Sequence, residues 1–334
     1  MGQGLFERLV QEEGYHCRIY APVGGHRDLL AYLVRRLLEN GANSSFVHQL
    51  ADEEVSEDEL LADPVEKVME VGGTRHPAIR LPTELCMPER ANSEGMDLED
   101  AAGLADIAGK VAAMPVVPAD IDADVATAIA AAEAAYPEWS ATPVAERADC
   151  LERLADLLEE HRAPLMAIAV QEAKKTVPDA LAEVREAIDF CRYYAARARA
   201  DMQPVELPGP TGERNVLRYE GRGVWAAIAP WNFPLAIFLG QVAAALVTGN
   251  TVVAKPAPQT PDIARYSIDL ARKAGIPAGA IQLVTGGGDI GQVLLNDRRV
   301  VGTVFTGSVP TAKAIARNLL ADDDRPLVPL IAET

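Results

Sequence analysis

The sequence is poor in cysteine, and its four cysteines lie far apart. Cys17, Cys86, Cys150 and Cys191 include no C-x-x-C pair, so their spacing predicts neither a zinc site nor a disulfide framework. Isolated cysteines are typical of proteins in a reducing compartment, and we therefore expect a cytoplasmic protein. The N-terminus lacks a basic stretch followed by a long apolar one, so no secretory signal is predicted.

Long apolar runs and positive charge are also scarce. The most apolar stretch, residues 223–249, is interrupted by prolines, Asn232 and Gln241 into pieces shorter than the roughly 20 residues of a membrane-spanning helix. The chain has 31 Lys and Arg against 49 Asp and Glu, a formal net charge of -18. Because this excess of negative charge repels phosphate backbones and anionic lipid, nucleic-acid and membrane partners are not expected, which leaves small-molecule substrates.

The first 50 residues read as a piece of a larger domain. With 334 residues, 49% of them apolar, the chain is long enough for two domains with ordinary cores. Residues 15–24 resemble a strand that ends at a Pro/Gly turn, and leucines at helical spacing predict a helix over 26–43. One strand and one helix cannot cover both faces of a parallel strand, so further units are implied.

The rest of the chain has three successive sequence patterns. Residues 51–116 are acidic and contain Pro and Gly, which predicts a linker with short helices. Apolar residues every three or four positions then predict helices over 120–135, 144–173 and 179–200. After residue 203, short apolar runs alternate with helical segments, which indicates βαβ units and a parallel sheet. The predicted strands are 224–229, 251–255, 281–285, 302–305 and 327–332.

Polar residues follow the first two predicted strands of this sheet. In an open parallel sheet, ligands bind beyond the carboxyl ends of the strands. Asn232 lies in a turn between two prolines, where its carboxamide could stabilise an oxyanion or could simply cap the next helix. Lys255 ends the second strand, where it could reach cofactor hydroxyls or could extend its ammonium to water.

The loops after the other three strands carry comparable signals. Residues 286–291 satisfy G-x-G-x-x-G, a weak pattern that a tight turn alone would also explain. Ser308 is a predicted helix N-cap with Pro310 in the first turn, and the free N–H groups of such a helix start favour a pyrophosphate. Glu333 places a carboxylate at the end of the last strand, where a solvated side chain is the simpler interpretation.

Four motifs, each at a strand end, together resemble the aldehyde dehydrogenase superfamily. They are Pro-Trp-Asn-Phe-Pro, Ala-Lys-Pro-Ala, Phe-Thr-Gly-Ser and Ile-Ala-Glu-Thr, in this order. The resemblance implies a Rossmann-like NAD-binding domain, with Asn232 as the oxyanion donor and Glu333 as the general base for the deacylating water. It places Lys255 on the cofactor ribose. Near the NAD pyrophosphate it places Trp231, Gly307 and Ser308.

The chain departs from that family's pattern at three points. Pro258 stands where many members have a Glu for the ribose hydroxyls, so the pattern does not decide between NAD and NADP. Ala312 replaces a Gly that many members have, which is a mild change. The family's nucleophilic cysteine follows the Glu, whereas all four cysteines here precede Glu333, so we expect this chain alone not to oxidise aldehydes.

The predicted N-terminal helix carries two adjacent arginines. Tyr32, Arg35, Arg36 and Glu39 share one helix face. Two guanidinium groups suit a carboxylate, although a solvated face with an Arg–Glu pair is the alternative. Residues 17–43 resemble the last strand and helix of the proline dehydrogenase (β/α)8 barrel. That resemblance implies that Arg35 and Arg36 bind the proline carboxylate, and that Tyr20 and Tyr32 line a pocket over FAD.

A proline dehydrogenase end followed by an aldehyde dehydrogenase start is the order of the bifunctional proline utilisation family. The resemblance implies an α/β chain with the end of the barrel at 1–50, a linker at 51–116 and an aldehyde dehydrogenase-type NAD-binding domain at 117–334, truncated before its catalytic domain. It also implies a full-length homo-oligomer. The implied function combines an FAD-dependent proline dehydrogenase with an NAD-dependent L-glutamate γ-semialdehyde dehydrogenase. A non-catalytic nucleotide-binding module and a dehydrogenase for another aldehyde are the alternatives.

Overall fold

A computed structural model describes residues 6–18, 22–41, 49, 52, 55–70, 72–75, 78–115 and 124–334. The chain divides into two compact units, Met1–Ile79 and Arg80–Thr334. In the described part of the chain, no helix is long and apolar enough to cross a membrane.

The regular structure described in the first unit is helical. A short π-helix, Arg8–Glu12, precedes α1 (His26–Gly41), α2 (Glu57–Leu61) and α3 (Pro64–Glu70). The helix predicted over 26–43 is therefore confirmed over residues 26–41, and residues 42 and 43 lie outside the described residues. The strand predicted over 15–24 is wrong for its described residues, 15–18 and 22–24, which form no strand. A strand requires a hydrogen-bonded neighbour, and the described residues of this unit supply none.

The second unit begins with a helical layer. After a 3-10 turn at Pro82–Glu84 come α4 (Ala101–Ala113), α5 (Val125–Ala141), α6 (Val144–Glu160), α7 (Arg162–Glu172) and α8 (Val177–Asp201). The single helix predicted over 144–173 is wrong, because the chain leaves helical geometry at His161. Pro164 explains the break, since its ring nitrogen has no hydrogen to donate to the carbonyl four residues earlier.

The parallel sheet predicted from the sequence is confirmed. Its strands are β3 (Val224–Ile228), β4 (Thr251–Lys255), β5 (Ile281–Leu283), β6 (Val300–Thr306) and β7 (Leu330–Glu333), arranged in the order β5-β4-β3-β6-β7. β7 begins three residues later than predicted, just after Pro329, whose carbonyl accepts from Thr303 N at 3.0 Å. A separate antiparallel pair, β1 (Val205–Leu207) and β2 (Asn215–Leu217), was not predicted.

Helices cover both faces of the sheet, as a parallel sheet requires. The connecting helices are α9 (Ala236–Val247), α10 (Pro261–Lys273), α11 (Gly288–Asn296) and α12 (Val309–Leu319). Successive strand residues point to opposite faces. Ala226 accordingly joins a core with residues of α5, α11 and α12, whereas Ala227 joins the larger core formed with α6 to α10. This arrangement leaves the carboxyl edge of the strands for the loops that carry the candidate site.

Candidate active site

Strand register brings the predicted site residues to one edge of the sheet. Ile228, the last residue of β3, pairs with Lys255 on one side and with Phe305 on the other. The next residue of β6, Thr306, pairs with Glu333. At about 4.8 Å per strand, Lys255 and Glu333 are separated by roughly 14 Å across the sheet. The loop that holds Asn232 follows β3 between them.

The turn after β3 presents its side chains outward. Trp231 is 56% exposed, and the side chains of Asn232 and Phe233 are exposed as well. Asn232 does not cap the following helix: α9 has Leu235 at its N-cap, and Glu183 accepts hydrogen bonds from the first backbone N–H groups. The capping alternative for Asn232 is therefore wrong, and its carboxamide is available for a ligand.

Lys255 is buried rather than extended to water. The residue is 5% exposed, and its Nζ donates to the carbonyl of Pro256 at 3.3 Å. Burial lowers the pKa of its ammonium, an effect that the charge of Asp289 opposes. A methyl group added at Gly291 would lie 3.9 Å from the lysine Cδ and Cε, so the side chain runs along the first turn of α11. The surface-lysine alternative is therefore wrong.

The glycine-rich turn before α11 is shaped by close packing. Gly286 has a φ of +139°, and a Cβ there would lie 2.4 Å from Cγ1 of Ile290. Gly287 is the N-cap of α11 and has no side chain to satisfy the first backbone N–H groups. A buried ammonium beside a helix N-terminus suits the hydroxyls and phosphates of a dinucleotide such as NAD.

The turn after β6 is fixed in the same way. Ser308 is the N-cap of α12, with its Oγ accepting from Thr311 N at 3.4 Å, so the predicted cap is confirmed. A Cβ at Gly307 would lie 2.7 Å from Cζ of Phe305, which explains why glycine is needed there. The backbone N–H of Gly307 donates to the carbonyl of Glu333 at 3.1 Å.

Glu333 belongs to a hydrogen-bonded chain of side chains. Thr306 Oγ1 donates to its Oε2 at 3.3 Å, and Gln241 Nε2 donates to the same Thr306 oxygen at 2.9 Å. The carboxylate remains exposed, so it can reach water while one oxygen is held. Gln241 and Thr306 were not predicted from the sequence as residues of the site. Gln241 could have been found, because it is a polar residue in the otherwise apolar α9.

A cavity of about 510 Å³ lies beside this chain, a volume typical of small-molecule sites. Thr306, Glu333 and Gln241 provide polar groups in its wall. The apolar part of its wall includes Phe190, Tyr194, Trp225, Ile237 and Ile331. Burial raises the pKa of Tyr194, helped by Tyr193 and Glu333, and burial also raises the pKa of the nearby Glu186 carboxyl.

None of the four cysteines lines this cavity. Cys191 is fully buried on α8, and burial raises its pKa to about 12. Burial also raises the pKa of Cys150, on α6, whereas Cys17 is exposed. Within the described ranges, no cluster of His, Cys, Asp and Glu could hold a metal ion.

The proline-binding residues predicted on α1 are only partly described. Tyr32 is half-buried and Arg35 exposed, with the guanidinium carbon 6.0 Å from the centre of the tyrosine ring. The two residues thus share a helix face. Tyr20 and the side chain of Arg36 lie outside the described residues, so the proline-binding role of all four stays a prediction.

The fold and the site define an open α/β protein of the dinucleotide-binding class, with polar residues at the carboxyl ends of four neighbouring strands. The chain belongs to the aldehyde dehydrogenase family, which residues 110–334 match. Residues 1–49 match a second family, proline dehydrogenase.

The chain is similar to bifunctional proteins over its whole length and to a dehydrogenase over about half of it. The bifunctional protein PutA of Klebsiella aerogenes is 44% identical over the whole of this chain, which covers 28% of that protein. The 1-pyrroline-5-carboxylate dehydrogenase of Anoxybacillus flavithermus is 40% identical over 54% of this chain and 35% of its own length. A crystal structure of a bifunctional proline utilization A protein superposes with a TM-score of 0.80 at 51% identity. It covers all of this chain, which spans about a third (34%) of that structure.

Proposed function

We propose that the chain forms part of a bifunctional enzyme that oxidises proline to glutamate. Its Arg80–Thr334 unit would bind NAD for the oxidation of L-glutamate γ-semialdehyde, the open form of 1-pyrroline-5-carboxylate. The two family matches in one chain support this proposal, as does the similarity of all 334 residues to part of PutA. The observation that carries it is the buried Lys255 beside the start of α11, three strands from the held carboxylate of Glu333.

The residues at the strand ends fit NAD, and different residues would contact its ribose and its pyrophosphate. When bound, NAD supplies the acceptor for the hydride that leaves the substrate. Lys255 would bind ribose hydroxyls, while Trp231, Gly307 and Ser308 would lie near the pyrophosphate, at the N-terminus of α12.

Asn232 and Glu333 would act on the substrate. Asn232 would donate its carboxamide N–H to the developing oxyanion, a contribution typically worth about 10² to 10³ in rate. Glu333 would accept a proton from the water that releases the acyl group. Because no described cysteine lies at this site, we propose that these 334 residues alone do not oxidise aldehydes.

The first unit would serve the proline dehydrogenase activity. Arg35 and Arg36 would bind the proline carboxylate, and Tyr20 and Tyr32 would line the pocket beside FAD in the full-length enzyme. The match of residues 1–49 to proline dehydrogenase supports this assignment.

The test is an assay of an enzyme that extends over the length of the PutA relatives. We expect NAD-dependent oxidation of glutamate semialdehyde with a much higher kcat/KM than for simple aliphatic aldehydes. Asn232→Ala should lower kcat about 10²-fold or more. Asn296→Ala, an exposed asparagine at the far end of α11, is the matched control. A preference for aliphatic aldehydes, or an Asn232→Ala enzyme with unchanged kcat, would contradict the proposal.

A further inference from the structure

Glu183 is a carboxylate that is buried beneath the turn of Asn232. Its side chain, on α8, is inaccessible to water. Its Oε1 accepts from Leu235 N at 2.7 Å and from Ala236 N at 3.3 Å, so it caps α9 from 52 residues away in sequence. Burial of a carboxylate is costly unless the charge is paired, which makes the position informative.

Lys175 supplies the pairing charge and also reaches the turn itself. Its Nζ lies 2.9 Å from Oε2 of Glu183 and 4.3 Å from the centre of the Phe233 ring. Phe233 is the residue that follows Asn232. One ammonium therefore connects the buried carboxylate to the aromatic ring next to the candidate oxyanion donor, through an ion pair and a cation–π contact.

The backbone of the turn offers few other points of attachment. Pro230 and Pro234 have no N–H to donate, and the side chain of Asn232 is exposed. The first backbone N–H after Phe233 is that of Leu235, and Glu183 accepts it. The position of Asn232 is thus set by the backbone on either side of it, and Glu183 holds the side that leads into α9.

We propose that Glu183, paired with Lys175, is a positioning residue that sets the turn of Asn232 for oxyanion stabilisation. This inference rests on the proposed function of Asn232. A displacement of about 1 Å at a catalytic group can cost on the order of 100-fold in rate. A cap that only stabilised α9 would affect folding without a specific effect on Asn232.

Glu172 provides a matched control within the same unit. It accepts from Asp262 N at 2.7 Å and from Ile263 N at 3.2 Å, and so caps α10 as Glu183 caps α9. Both residues are carboxylates that accept from backbone N–H groups at a helix start. Glu172 is half-buried and Glu183 is buried, and Glu172 caps the helix that follows the Lys255 loop. A substitution at Glu172 therefore reports what the loss of a buried cap does without a change at Asn232.

The first measurement is amide hydrogen exchange in this chain. In Glu183→Gln we expect faster exchange at Leu235 and Ala236, by about 10-fold or more, with unchanged exchange at Leu239 inside α9. Lys175→Met should give a smaller change at the same amides. Glu172→Gln should leave Leu235 unaffected. Uniform acceleration throughout α9 in Glu183→Gln would overturn the positioning role.

The second measurement is a double-mutant cycle in the complete enzyme. We expect Glu183→Gln to lower kcat about 10- to 100-fold, with a much smaller change in the KM for NAD, most of whose proposed contacts lie outside this turn. Added to Asn232→Ala, it should lower kcat little further, because the group that it positions is already gone. Glu172→Gln should combine multiplicatively with Asn232→Ala.

The outcomes distinguish failure of the positioning role of Glu183 from failure of the proposed role of Asn232. If Asn232→Ala leaves kcat unchanged, the proposed function fails and the inference fails with it. If Asn232→Ala lowers kcat but Glu183→Gln multiplies with it, only the inference is overturned. Should Glu183→Gln not fold, the double variant Glu183→Gln/Lys175→Met removes both charges, and the same cycle is run with it.

Discussion

Thr306 and Glu333 face each other on neighbouring parallel strands, and the threonine hydroxyl donates to Oε2 of the glutamate at 3.3 Å. The same hydroxyl accepts from Gln241 at 2.9 Å, so a side chain of α9 is connected to the carboxylate through one intermediate. The candidate base is thereby held by groups from two other elements, although its own strand lies at the edge of the sheet.

Removal of this hydroxyl should weaken the arrangement. Thr306→Val keeps the shape of the side chain but loses the hydrogen bonds to Glu333 and Gln241. We expect a loss of about 1–2 kcal/mol in the free energy of unfolding. Urea unfolding measures it, with Thr211→Val in an exposed turn as the control. An unchanged free energy in Thr306→Val would show that the chain of hydrogen bonds carries no stability.

The buried ammonium of Lys255 should reduce the free energy of unfolding at neutral pH. Because burial lowers its pKa below 10.5, the folded state disfavours the charged form, so stability falls as the pH drops from 10.5 to the lowered pKa and does not fall further below that pKa. Lys255→Met should therefore stabilise the protein by about 1 kcal/mol at pH 7. This gain should shrink as the pH approaches 10.5.

Thermal unfolding at pH 7 and at pH 10 checks the sign of this effect. Lys273→Met, an exposed lysine at the opposite end of α10, should leave the Tm unchanged at both values. A lower Tm for Lys255→Met at pH 7 would contradict the prediction.

Two glycines should respond in opposite directions to the same substitution. Gly307→Ala places a methyl group 2.7 Å from the Phe305 ring and should destabilise the protein by about 1–3 kcal/mol. Gly109→Ala, in α4 with nothing within 4 Å, should stabilise it by about 0.5–1 kcal/mol. The denaturant midpoint should fall for Gly307→Ala and rise for Gly109→Ala, each relative to the unaltered chain. Equal shifts would refute the packing argument.

The cysteines should differ sharply in reactivity. Burial raises the pKa of Cys191 to about 12, so only about 10⁻⁴ of it is thiolate at pH 8, and the side chain is also shielded from reagent. Iodoacetamide should therefore modify Cys17 in the folded protein and Cys191 only after unfolding. Mass spectrometry of the labelled peptides checks this. Rapid native labelling of Cys191 would mean that α8 is open to solvent.

The strand ends could be predicted from the sequence because their signals are local. Short apolar runs placed Lys255 and Glu333 close to their observed positions at the ends of β4 and β7. The break at His161 was also a local signal, since Pro164 is visible in the sequence, but the apolar periodicity continues across it and masked it.

The supporting residues could not be predicted, because their partners are distant in sequence. Glu183 contacts Leu235 across 52 residues, and Gln241 contacts Thr306 across 65. Only the folded packing of α8 and α9 against the sheet brings these groups together. The described residues of 15–24 form no strand for a related reason, since a local pattern cannot supply the neighbouring strands that a strand needs.

The central claim is that Lys255 lies in a dinucleotide site at the carboxyl edge of the sheet, and calorimetric titration of NAD into this chain tests it most directly. We expect saturable binding by the unaltered chain and by Lys273→Met, and no binding heat with Lys255→Met, although that variant is expected to be the more stable protein. NAD binding by Lys255→Met with an unchanged Kd would contradict the account.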